Sequence, residues 1–108
     1  MPKFLFIFRH SADPKSRPSP EEMQVLAGQW YAWMQKFSGS ILPGGDGLKP
    51  GGRQVRAGIV TDGPYVEAKE FVASFTLIQA DNYDAAVAIA RACPGDNVIE
   101  IRELGGYA

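Results

Sequence analysis

The chain has 108 residues, too few for two units that each bury a useful core, so it reads as one domain over 1–104 with a tail at 105–108. Its 45% hydrophobic and 21% charged residues are those of an ordinary globular protein. A formal charge of -1 argues against nucleic acid as a main partner, because phosphate binding calls for a basic surface.

The opening MPKFLFIFRH resembles a signal peptide only superficially. Its apolar core, Phe4 to Phe8, is too short and runs straight into Arg9 and His10. No apolar run approaches the ~20 residues of a membrane span, so the expectation is a cytoplasmic protein without a membrane partner. Phe4 to Arg9 is instead predicted to be a strand. Phe4, Phe6 and Phe8 point one way and Leu5 and Ile7 the other, which marks a central strand covered on both faces.

After a polar, proline-bearing loop from Ser11 to Pro18, Ser19-Pro20-Glu21-Glu22 signals a helix start. It offers a capping serine, proline at the first helical position and glutamate three residues after the cap. Met23, Leu26, Ala27, Trp30, Trp33, Met34 and Phe37 then form a helical apolar stripe, read as core, and Ser38-Gly39 ends the helix. The glycine-rich Gly44 to Gly52 lies between strand-like pieces at Ile41-Leu42 and Gln54 to Thr61. It lacks the Gly-Lys-Ser/Thr and following helix of a phosphate loop, so it is read as the turn of an irregular hairpin.

Phe71 to Ile78 is a second strand with both faces apolar. Asp81 to Asp84 supplies a cap and an acidic first turn for an alanine-rich helix, which Cys93-Pro94-Gly95 stops. Cys93, the only cysteine, allows no intrachain disulfide and is read as a small buried hydrophobe. Val98 to Leu104 is the last strand, with Ile99 and Ile101 on one face and Glu100 and Arg102 on the other.

The order β, α, hairpin, β, α, β implies an α+β fold of ferredoxin-like type, an antiparallel sheet with two helices on one face. Two helices cover one face, yet two strands are apolar on both. A second copy of the sheet is the simplest cover, so a homodimer with facing sheets is expected. Charge is also unevenly spread: residues 1–56 carry eight Lys/Arg against four Asp/Glu, and residues 57–108 carry three against eight. Complementary packing of the two halves is the plain reading.

One stretch holds more charge than a turn requires. Thr61-Asp62-Gly63-Pro64-Tyr65 is followed by Glu67, Lys69 and Glu70 before the strand at Phe71. This run resembles the motif of the YCII-related, or DGPF-domain, family, in which an Asp-Gly-Pro-Phe turn is followed by Glu, Lys and Glu. The likeness extends to the SPEEM helix opening, the DNYDAAVAIARACP helix and the VIEIREL strand, nearly the whole chain. It implies a ferredoxin-like fold paired into a dimeric α+β barrel. Tyr65 stands in place of the usual phenylalanine and adds a hydroxyl. Some YCII-like proteins use a histidine on the first helix and an aspartate near the end of the second. Here the first helix has no histidine and the second ends at Cys93, so that pair does not carry over. Some DGPF-type members are encoded beside alternative sigma factors.

The remaining candidates define an expected cleft rimmed by the motif. His10 is a candidate general base at the end of the first strand, with Asp62 or Glu67 to orient it. Arg9, Tyr65, Lys69 and Glu70 are candidate substrate-binding residues, Arg9 through bidentate contact with an anion. Each has a plainer role too: His10 as a loop anchor, Asp62 as a cap on its own turn, and Glu67, Lys69 and Glu70 as a local salt-bridge set. One histidine and one cysteine cannot build a zinc site of the usual type in one chain, and no metal or cofactor is assigned. The expected function is binding of a small anionic or polar molecule, with or without lyase, isomerase or dehalogenase-like chemistry. The alternative is a non-catalytic ligand-sensing or partner-binding module linked to transcriptional regulation.

Overall fold

The fold is seen in a computed structural model that describes residues 1–63 and 69–106. The central strand β1 (Lys3–Ser11) is followed by α1 (Pro20–Lys36), β2 (Ile41–Gly47), β3 (Gly52–Arg56), β4 (Ile59–Gly63), β5 (Glu70–Gln79), α2 (Tyr83–Arg91) and β6 (Val98–Glu103). Four strands form one sheet in the order β2-β5-β1-β6, and every neighbouring pair is antiparallel. The architecture is therefore α+β, with two helices and an antiparallel sheet.

Strand alternation sorts the two faces of that sheet. Phe4, Phe6 and Phe8 of β1 stand level with Ile78, Thr76 and Ser74 of β5. They also stand level with Glu103, Ile101 and Ile99 of β6. The three phenylalanines and Ile78 are buried there with Trp33 of α1 and Ala86, Ile89 and Ala90 of α2. Trp33 Nε1 donates to Ile89 O at 3.0 Å, so the one indole satisfies its donor while tying the helices together. Tyr83 packs edge-on against Phe4 with ring centroids 4.9 Å apart, and its hydroxyl accepts from Glu103 N at 2.9 Å.

Helix α1 begins where the sequence places it. Ser19 Oγ accepts from Glu22 N at 3.2 Å, and Ser19 N donates to Glu22 Oε1 at 3.3 Å, a reciprocal capping box. Ser19→Ala should lower stability by roughly 0.5–2 kcal/mol, read as a drop in the urea midpoint at unchanged slope. Helix α2 is capped by Asn82, whose Oδ1 accepts from Ala85 N at 2.8 Å.

Two expectations need correction. Gln54 to Thr61 is not one strand: Ala57 and Gly58, both at positive φ (51° and 80°), form a two-residue turn between the paired Arg56 and Ile59. β3 and β4 thus make a hairpin of their own, separate from the main sheet. The strand beginning at Ile41 does not stop at Leu42 but continues through a bulge between Leu42 and Asp46. Gly45 makes this possible, since a Cβ there would lie 2.7 Å from Phe75 O. Gly45→Ala should push β2 away from β5 and cost about 1–3 kcal/mol, measured by thermal or urea denaturation. Unchanged stability would show that the bulge yields freely.

The apolar stripe of α1 is also less buried than its periodicity suggests. Trp33 is buried and Trp30 and Phe37 are partly buried, but Met23 and Met34 are exposed. Around Met34 the reason is a groove between α1 and β2. No helix among the described residues is long and apolar enough to cross a membrane.

Candidate functional site

The groove lies on the helix-bearing face of the sheet and encloses about 570 Å³, within the range of small-molecule sites. Phe8, Trp30 and Trp33 form its aromatic side, with ring centroids 5.5 Å apart for both Phe8–Trp30 and Trp30–Trp33. Met34 stands at its mouth, and the bulged segment Pro43 to Gly47 forms the opposite wall. The sheet contributes Ser74 and Thr76 from β5, and Ser38 follows the end of α1. Periodicity alone could not reveal this site. Trp30, Trp33 and Met34 match a core stripe, and the groove depends on where the bulge sets β2.

The opposite face of the sheet carries no helix. Leu5 and Ile7 of β1, Phe75 and Leu77 of β5 and Leu42 of β2 share it by register, and all are half-buried. At one side Glu100 Oε1 accepts from Arg9 Nη2 at 3.1 Å, and its Oε2 accepts from Arg102 Nη1 at 3.3 Å. Hydrogen bonds from Arg9 and then Arg102 hold the Glu100 carboxyl below the usual carboxylate range. Its pairing is therefore complete above the ordinary carboxylate pKa and is lost only as pH falls through the lowered value.

The residues singled out by sequence fall into separate places. Arg9 lies on the helix-free face and pairs with Glu100, and among the described residues it meets no carboxylate of the motif. His10, the next residue, belongs to the other face: its ring meets Phe71 edge-on, with centroids 5.9 Å apart. Lys69 and Glu70 run alongside that end of β1, since Ser11 pairs with Glu70 and Ala12 N donates to Lys69 O at 2.8 Å. Asp62 belongs to the hairpin, where its Oδ1 forms an exposed salt bridge with Arg53 Nε at 3.0 Å. Tyr65 and Glu67 lie outside the described residues. The backbone of Lys69 and Glu70 thus runs beside the end of β1 that carries His10, while register puts Glu70, like Arg9, on the face opposite His10.

His10 and Phe8 share a face, two residues apart, which is about 7 Å along a strand. The motif-side end of β1 thus continues beyond the floor of the groove. Cys93 packs against the core, and burial pushes its thiol up to about 12, which makes it inert as a nucleophile near neutral pH. Among the described residues, no three His, Cys, Asp or Glu side chains converge on a point that could hold a metal ion.

The two helices and the antiparallel sheet agree with the α+β class that the motif resemblance implies for the chain. No curated protein matches it. The family model described as the YCII-related domain matches residues 5–104, nearly the full length, and the chain belongs to that family.

Proposed function

We propose that the protein is a homodimeric, small-molecule-binding module of ferredoxin-like topology, with two sheets facing each other as a dimeric α+β barrel and the ligand held between α1 and β2. The observation that carries the binding reading is the aromatic groove of about 570 Å³ floored by Phe8 and the two indoles. A concave site of that size, walled by aromatic side chains with a few polar groups, is the kind of place where small molecules bind. The dimer rests on the other face of the sheet, whose five half-buried apolar side chains carry neither α1 nor α2.

Both tryptophans of the chain line this groove, so indole emission reports on it alone. Small molecules that raise the melting temperature should also change that emission. Met34→Arg, which places a charge at the mouth on an exposed helix position, should abolish both effects while leaving the helix content intact. Stabilising molecules that leave the indoles unperturbed would contradict the assignment of the groove.

A second reading has one observation in its favour. His10 stands against Phe71 just past the groove floor, so a bound molecule reaching that end would meet an imidazole. An acid–base step there requires His10. Turnover of a bound molecule unaffected by His10→Gln would remove this reading and leave binding as the function.

A further inference from the structure

Between Glu103 at one end and His10 at the other, the polar positions on the helix-bearing face of the sheet are Ser74 and Thr76 of β5. Phe4, Phe6, Phe8, Ile41, Ile78, Ile99 and Ile101 surround Ser74 and Thr76. Both residues are half-buried on a central strand and line the groove, and no fully buried side-chain N or O atom among the described residues lacks a partner. Hydroxyls at such positions can both donate to and accept from a molecule in the groove. They border the one part of that face where the groove opens.

Formal charge is missing from the same wall. Among the described residues lining the groove there is no Lys, Arg or His, and Asp46 is the only ionisable one. Asp46 is paired in the ladder with Phe75, whose side chain belongs to the opposite face, and its Oδ1 accepts from Gly47 N at 2.8 Å. An anionic ligand would thus lose hydration and find no counter-charge, a loss that aromatic walls repay poorly, and a cationic one would find only the solvent-exposed Asp46. Resting on the groove as the binding site, we infer that its ligand is an uncharged ring compound carrying a hydroxyl or carbonyl group, with Ser74 and Thr76 as the residues that select it. This class differs from the anionic one suggested by the charge of the motif.

The test uses the full-length protein and the emission of Trp30 and Trp33. Phenethyl alcohol, phenethylamine, phenylacetate and ethylbenzene share one ring and differ in the polar end. The alcohol should bind at least about tenfold more tightly than either ion, which corresponds to roughly 1.4 kcal/mol. Thr76→Val keeps the β-branched shape and removes the hydroxyl. It should weaken the alcohol about fivefold and leave ethylbenzene unchanged, and Ser74→Ala provides the same comparison should Thr76→Val fold poorly. Equal or tighter binding of either ion would overturn the inference, as would variants that weaken alcohol and hydrocarbon alike or neither. In those cases the groove still binds and the proposed function stands. If no probe changes the emission, or the emission changes only on dilution of the protein, the groove is closed or filled by a second copy, and both readings fall.

Discussion

Phe6→Ala is expected to remove about 3–5 kcal/mol of stability, a large share of the roughly 5–15 kcal/mol that holds a domain of this kind. Phe6 is fully buried at the middle of the central strand, level with Thr76 on one side and Ile101 on the other. Its ring lies 6.4 Å from that of Phe8 at a steep angle, so truncation loses an edge-to-face contact as well as transfer energy. The walls of the resulting cavity belong to a paired strand on each side and helices above, so they cannot collapse inward freely. Urea denaturation at one fixed protein concentration checks this, because the proposed dimerisation would make apparent stability depend on concentration. A loss under about 1 kcal/mol would mean that the helices settle onto the sheet far more easily than this packing implies.

The second large effect concerns the other face. Leu77 lies between Leu5 on β1 and Leu42 on β2, with no basic side chain directly beside it in the ladder. In the proposed dimer, Leu77→Glu would bury an unpaired carboxylate at the seam in each copy, at about 3 kcal/mol or more per copy. The dissociation constant should rise at least a hundredfold. The isolated subunit can leave the new carboxylate in water, so the variant should be a folded monomer with an unchanged far-ultraviolet spectrum. A Leu77→Glu protein that stays dimeric would place the interface elsewhere.

Much of the architecture is legible in the sequence because it follows from local chemistry. The Ser19-Pro20-Glu21-Glu22 run specifies a capping box with few alternatives, and the structure forms it. Asn82 ahead of Tyr83 starts α2 in the same way. Alternation in Val98 to Glu103 assigns Ile99 and Ile101 to the core and Glu100 to the far face, as observed. The double apolar pattern of β1 and β5 likewise follows from their central positions in the sheet.

What the sequence hides depends on single residues whose effect is nonlocal. Nothing in Gln54 to Thr61 outside Ala57-Gly58 interrupts a strand, and Ala57 is an unusual occupant of the left-handed region. The bulge at Pro43 to Gly45 is visible only through what a Cβ at Gly45 would meet on β5. Ser74 and Thr76 look like incidental polar breaks in an apolar strand until the bulge opens a groove beside them. The charges of the motif suggested a compact polar cleft, but in the structure Arg53 engages Asp62 and Glu100 engages Arg9. Each of these pairs joins the basic first half of the chain to the acidic second half.

The central claim is that two copies cover each other's helix-free sheet face. Light scattering coupled to size exclusion, at micromolar concentration and moderate salt, tests it most directly. The account predicts a single species at twice the 11.7 kDa chain mass, and a single species at the chain mass itself would contradict it.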